Sequence, residues 1–236
     1  MILDEIVENK RQELSLVGTD KFLKLFVTDT MQIICEVKLK SPTSGGSFSV
    51  DVESLLEDYK RQADAISVVT DKKYFGGNLG IINQARHTGL PVLRKDFIIE
   101  PSQIAEANTD ALLLIARILP PSRLKQLVSA CLAVGIEPVV EIYNPDELIT
   151  ATDTDTRIIA VNSRDLDRQV IDLDGACRLL SEIPAEYTRL LFSGIETASD
   201  VTKASQAGAD GVLVGTSVLK SNNKQEFIKN LRGKNV

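Results

Sequence analysis

Apolar residues along this chain collect in eight short runs: IICEVK (33–38), AISVV (65–69), PVLRKDF (91–97), DALLLIA (110–116), PVVEIY (138–143), RIIAVN (157–162), RLLFSG (189–194) and GVLVGT (211–216). Each is rich in Val, Ile and Leu and is bounded by polar, Gly or Pro residues, the pattern of strands buried on both faces of a parallel sheet. Between them lie segments with helical spacing: VESLLEDYKRQ (52–62), NLGIINQARHTG (78–89), PSQIAEA (101–107), PSRLKQLVSACLAVG (121–135), PDELITA (145–151), GACRLLSEI (175–183) and ASDVTKASQAG (198–208). Asn144 and Thr197 suit helix N-caps, and Gly89, Gly135 and Gly208 suit helix ends.

Eight βα units in series predict a closed (β/α)8 barrel rather than a doubly wound sheet. No Ser/Gly-rich linker or shift in composition divides the chain, so residues 1–236 read as one domain. Residues 1–30 precede the first strand, carry a charged, helix-patterned sequence, and predict an extra helix across one barrel mouth.

Composition narrows the chemistry. The formal net charge of −6 argues against nucleic acid as a partner, and an anionic substrate must then be held by local positive groups. No apolar run approaches the ~20 residues of a membrane span. The N-terminus lacks the apolar core of a signal peptide. Three cysteines without CxxC spacing fit a reducing cytoplasm. His87 is the only histidine, which leaves acid–base work to lysines and carboxyl groups.

Charges inside strands that should be apolar throughout are the informative exceptions. Glu36 and Lys38, two apart, project from one face of the first strand, Lys95 follows PVLR, Glu141 ends PVVE, and Asn162 ends IIAVN. One such residue is ordinarily a solvated loop residue or half of a structural ion pair. The repetition on several strands, at the rim where barrels carry their reactive groups, points instead to a site. The last two strands run into SGIET (193–197) and VGTS (214–217), glycine turns at the usual phosphate position of a barrel. The glycines of YFGG (74–77) read as a turn only.

The segments EVKLKSPTSGG (36–46), VTDKKYFGG (69–77), VLRKDFIIEPSQI (92–104), EPVVEIYNPDEL (137–148), VNSRDLDRQVIDL (161–173) and SGIETASDV (193–201) resemble, in order, the motifs of indole-3-glycerol phosphate synthases. The likeness covers nearly the whole chain, and ExKxxSP and LRKDF are its specific parts. The resemblance implies conversion of 1-(2-carboxyphenylamino)-1-deoxyribulose 5-phosphate to indole-3-glycerol phosphate, with loss of carbon dioxide and water. This is a step of tryptophan biosynthesis that uses neither cofactor nor metal. It implies Lys95 as the general acid of ring closure, Glu141 as the carboxyl group assisting dehydration, and Glu36 with Lys38 as a first-strand pair. By the same resemblance Ser41 meets the substrate carboxylate, Asn162 and Arg164 form a polar clamp, and Ser193 is the serine of the seventh strand. Gly194, Gly215 and Thr216 match phosphate loops, and Phe75 and Phe97 match the aromatic lining of the anthranilate pocket. A complex with other tryptophan-pathway enzymes stays open.

The residue types suit that chemistry independently. A lysine ammonium can protonate a developing alkoxide, and a second lysine nearby would make it a better acid. A carboxyl group in an apolar mouth suits a dehydration step. Two positions depart from the family pattern: Phe192 stands where the family usually has glutamate before Ser-Gly, and Leu39 where a basic residue is common. Phe192 leaves open a diverged barrel with weak or no synthase activity, and a related aminosugar-phosphate isomerase is a separate alternative. The isomerase would need a cysteine base at the first-strand rim, and Cys35, adjacent to Glu36, faces the other way.

Overall fold

The computed structural model describes residues 20–41, 46–48, 50–165, 168 and 170–233. Its strands are, in chain order, β1 (Gln32–Val37), β2 (Lys40–Ser41), β3 (Gly46–Ser47), β4 (Ala65–Val69), β5 (Val92–Lys95), β6 (Ala111–Ile115), β7 (Glu137–Ile142), β8 (Ile158–Asn162), β9 (Thr188–Phe192) and β10 (Gly211–Val214). β1 and β4 to β10 form a closed parallel barrel, sealed where β1 pairs with both β4 and β10. β2 and β3 form a separate antiparallel hairpin after β1. The predicted (β/α)8 fold is the observed one.

Alternation along each strand sorts the two layers. On β6, Ala111, Leu113 and Ile115 point into the lumen with Ile34, Leu93, Val139 and Phe192. Leu112 and Leu114 point outward beneath the helices. Those helices are α1 (Val52–Gln62), α2 (Lys72–Phe75), α3 (Gly80–Arg86), α4 (Pro121–Ala133), α5 (Pro145–Thr152), α6 (Leu173–Glu182), α7 (Ala198–Gln206), α8 (Thr216–Lys220) and α9 (Lys224–Leu231). Asn144 and Thr197 cap α5 and α7 as their types suggested, and Gly89, Gly135 and Gly208 all carry positive φ.

Three expectations are corrected. Residues 101–107 form not an α-helix but a 3-10 turn, Pro101–Glu106. There the Gln103 side chain takes the N–H groups of Ile99 and Glu100, tightening the segment. The third barrel strand stops at Lys95, because Asp96 accepts the next backbone N–H, that of Phe97, at 2.8 Å. The seventh stops at Phe192, where Ser193 and Gly194 turn to φ of 68° and 76°.

Of the predicted N-terminal helix, residues 1–19 lie outside the described residues. Ahead of β1 the chain winds into a 3-10 turn, Leu23–Phe26, with Phe22 wholly buried among lumen side chains. Phe22 and Phe26 meet edge to face at 5.6 Å. Arg157, just before β8, donates to Asp20 at 2.9 Å and pairs with Glu137 at the start of β7. This segment therefore closes the N-terminal mouth, which leaves the opposite rim for chemistry.

Candidate active site

At the C-terminal rim lies a cavity of about 330 Å³, within the size range of small-molecule sites. Its walls hold the charged residues singled out in the strands. Glu36, near the end of β1, is 5% exposed and accepts an ion pair from Lys38 at 2.8 Å. Lys38, one residue past the strand, also reaches Thr216 Oγ1 at 3.4 Å. Lys95 ends β5 and enters the same cavity with Leu113 and Ile115 of β6. Burial alone would push the Glu36 carboxyl up, but the charges of Lys38, Lys95 and Arg164 outweigh it and hold the group below its ordinary value. Glu36 is therefore an ionised acceptor. The charge of Lys38 is met by Glu36 at close range, so the expected pair of lysines is in fact a triad with a carboxylate in it.

Asn162, at the end of β8, and Arg164 just past it also line the cavity. The Asn162 amide donates to Glu141 Oε1 at 3.1 Å, while its own oxygen accepts the Arg164 N–H at 3.0 Å. Glu141 is bonded to Asn162 but is not among the residues that line the cavity; it is 3% exposed, with Oε2 unpartnered. Phe75 and Phe97 line the rim with ring centres 6.2 Å apart. Ser41 belongs to β2, and its side chain lies outside the described residues.

The two glycine turns complete the cavity. Ser193, Gly194, Gly215 and Thr216 all line it, and Ser217 on α8 donates to the Ile195 carbonyl at 2.8 Å, tying one turn to the other. Gly194 has positive φ, and a Cβ there would stand 2.9 Å from both Ser163 Oγ and Ile171 Cγ2. A Cβ on Gly215 would come within 2.3 Å of Glu36 Oε2. That glycine makes room for the carboxylate, as well as exposing backbone beside it.

Several features escape a reading of the sequence. Asp96 and Ile171 line the cavity without having been singled out. Arg94 is buried on the outward side of β5, where alternation called for an apolar residue, and that mismatch was the available signal. Phe192 is wholly enclosed and forms part of the cavity floor beside Leu213, so this floor is apolar. Cys35 faces the helix layer, where burial pushes its thiol far above the ordinary range. The isomerase alternative therefore finds no cysteine facing the cavity at that position. His87 is at the exposed end of α3, away from the cavity.

The family model described as Indole-3-glycerol phosphate synthase matches residues 3–231. An indole-3-glycerol phosphate synthase of Petrotoga mobilis is 37% identical over 238 residues, covering 94% of this chain and 93% of its own. One from Leuconostoc mesenteroides is 37% identical over 220 residues, covering 90% and 84%. Among solved structures, a 3-hexulose-6-phosphate synthase superposes with a TM-score of 0.68 over 86% of this chain and 98% of its own. At 18% identity it shows the shared barrel and nothing finer. No helix among the described residues is long and apolar enough to cross a membrane.

Proposed function

Because the chain belongs to the indole-3-glycerol phosphate synthase family, we propose that its rim cavity closes the indole ring of indole-3-glycerol phosphate. The substrate is 1-(2-carboxyphenylamino)-1-deoxyribulose 5-phosphate. One observation carries the reading: a single cavity joins Lys38, Lys95 and the Glu36 carboxylate with the Asn162/Arg164 pair, the Phe75/Phe97 pair and two glycine turns.

In this reading the phosphate lies against the Ser193–Gly194 and Gly215–Thr216 turns, within reach of Lys38 and Arg164. The anthranilate ring lies along Phe75 and Phe97, and Ser41 and Lys38 meet its carboxylate. The ring carbon bearing that carboxylate attacks the sugar ketone. As the new C–C bond forms, the carbonyl π pair moves to oxygen, and the Lys95 ammonium gives that oxygen its proton. Carbon dioxide then leaves, and the bond pair returned to the ring restores its conjugation. A second acid gives the hydroxyl made in the first step a proton and it departs as water with its bond pair, while the neighbouring sugar C1 carbon loses a proton to the amine left on Lys95, which forms the indole double bond and restores the ammonium. Glu141, oriented by its hydrogen bond from Asn162, is assigned to that step, and a positioned acid of this kind contributes about 10²–10⁴-fold. Glu36 holds Lys38 in place and balances the charge around Lys95. We place the reaction in a reducing cytoplasm, consistent with three unpaired, buried cysteines.

Product formation is read by indole fluorescence, which the chain's lack of tryptophan leaves unobscured. Lys95→Ala is expected to lower kcat by about 10²–10⁴-fold with its unfolding temperature nearly unchanged. Unaltered turnover in that variant would remove Lys95 from the role of acid. A second reading rests on Phe192, whose ring occupies the floor where the family usually has a carboxylate: substrate binding with little turnover. Tight binding of the substrate without fluorescent product would favour it.

A further inference from the structure

Arg94 is among the largest wholly enclosed side chains, with 2% exposed, and no step of the proposed reaction uses it. On β5 it neighbours Lys95, and successive strand residues face opposite ways. Lys95 enters the cavity while Arg94 runs outward beneath the loops. A buried guanidinium is costly unless its N–H groups are met. Here Nε donates to Thr70 Oγ1 at 3.2 Å, Nη1 to the Gln103 carbonyl at 2.6 Å, and Nη2 to Asp96 at 3.0 Å and Glu106 at 2.8 Å.

Those partners belong to the loop after β4 and the loop after β5. Thr70 closes the network between them. Its N–H donates to the Lys95 carbonyl at 3.0 Å, and its hydroxyl donates to Asp96 Oδ2 at 2.5 Å. Asp96 Oδ1 in turn accepts the Phe97 N–H at 2.8 Å, and the Gln103 amide donates to the Phe97 carbonyl at 3.2 Å. The backbone is thus fixed on both sides of Lys95 and at Phe97. Neither Arg94 nor Thr70 reaches the cavity. Apolar packing of similar volume would often stabilise such a place as well as a buried ion network does, so geometry is what this network adds.

We infer that Arg94 and Thr70 are positioning residues for Lys95, acting through Asp96 and the backbone of residues 95–97. The inference rests on the reading of Lys95 as the proton donor. An ammonium must meet the ketone oxygen within hydrogen-bond reach, and two loops left untied would let it drift.

Thr70→Val keeps the shape and removes the hydroxyl. Its kcat is expected to fall about 10- to 100-fold, the order of loss that follows displacement of a reacting group by roughly 1 Å. KM should change little, the unfolding temperature should fall because Arg94 Nε loses its partner, and Thr70→Ser should restore most of both the rate and the stability. If Thr70→Val does not fold, Arg94→Lys, which keeps the charge but loses the fork, is read in the same way. Undiminished kcat overturns the inference, and so does a rise in KM alone or a fall in unfolding temperature that Thr70→Ser fails to rescue. An unsubstituted protein without turnover, or an active Lys95→Ala, overturns the assignment of the acid and the inference with it. An active parent, a dead Lys95→Ala and a normal Thr70→Val would leave that assignment standing and remove the inference alone.

Discussion

Glu36 shows how a single residue can be needed for both charge balance and shape. It is almost wholly enclosed, and such a carboxyl would ordinarily be neutral, yet three cations hold it ionised. Its folded-state value lies below the unfolded one, so at acid pH the unfolded chain binds more protons than the folded one. The stability it contributes is complete above the ordinary value of 4.5 and is lost as pH falls through the depressed one. Glu36→Gln should therefore be less stable than the parent near neutrality, where it strands Lys38 without its 2.8 Å partner. The gap should narrow as pH drops below that ordinary value, which thermal unfolding over a pH series will measure. A gap independent of pH would mean that Glu36 acts by packing alone.

At the scale of elements, the strands were legible because burial on both faces leaves a long apolar imprint. Charges within that imprint marked the rim. What stayed hidden is what periodicity does not encode. The β2–β3 hairpin has too few residues to show a period. Residues 101–106 carry helix-like spacing but wind into a 3-10 turn around the Gln103 side chain. Glu141 is on the rim strand as expected, yet it is Asn162, bonded to it, that lines the cavity, a matter of side-chain packing that strand position alone does not decide. Of the N-terminal segment, residues 20–31 are described, and the mouth they cover depends on Phe22 and Phe26. Phe22 fills the lumen from below, and its removal leaves a void among well-packed side chains. Phe22→Ala should cost about 3–5 kcal/mol in urea unfolding, with the rim cavity and KM unaltered in whatever fraction stays folded. A loss well under 1 kcal/mol would show that the plug covers the mouth without filling it.

For the molecule as a whole, a closed barrel has one seam that joins its ends, and here β1 and β10 form it. Asp64 is the point where distant parts of the chain meet. Its carboxylate accepts the Ile33 N–H at 2.7 Å and the Arg232 guanidinium at 2.7 Å. Arg232 also donates to the Gln62 carbonyl at 2.8 Å, and Gln225 to Asp58 at 2.7 Å. Helix α9 thus clasps α1 from the far end of the chain, burying Ile228 and Leu231. Two walls of the cavity depend on this seam: Glu36 comes from β1 and Lys38 directly follows it, and the Gly215–Thr216 turn follows β10. Truncation after Asn223 removes two buried aliphatic side chains and the Arg232 link, a loss of about 4 kcal/mol or more. Hydrogen exchange should then rise first at the amides of β1 and β10, while β6 and β7 on the opposite side keep their protection. Synthase activity should fall with the seam, because the Gly215–Thr216 turn and the Glu36–Lys38 pair part when it opens. Uniform exchange around the barrel would instead show that the clasp stabilises the whole ring and that the seam is no weaker than the rest.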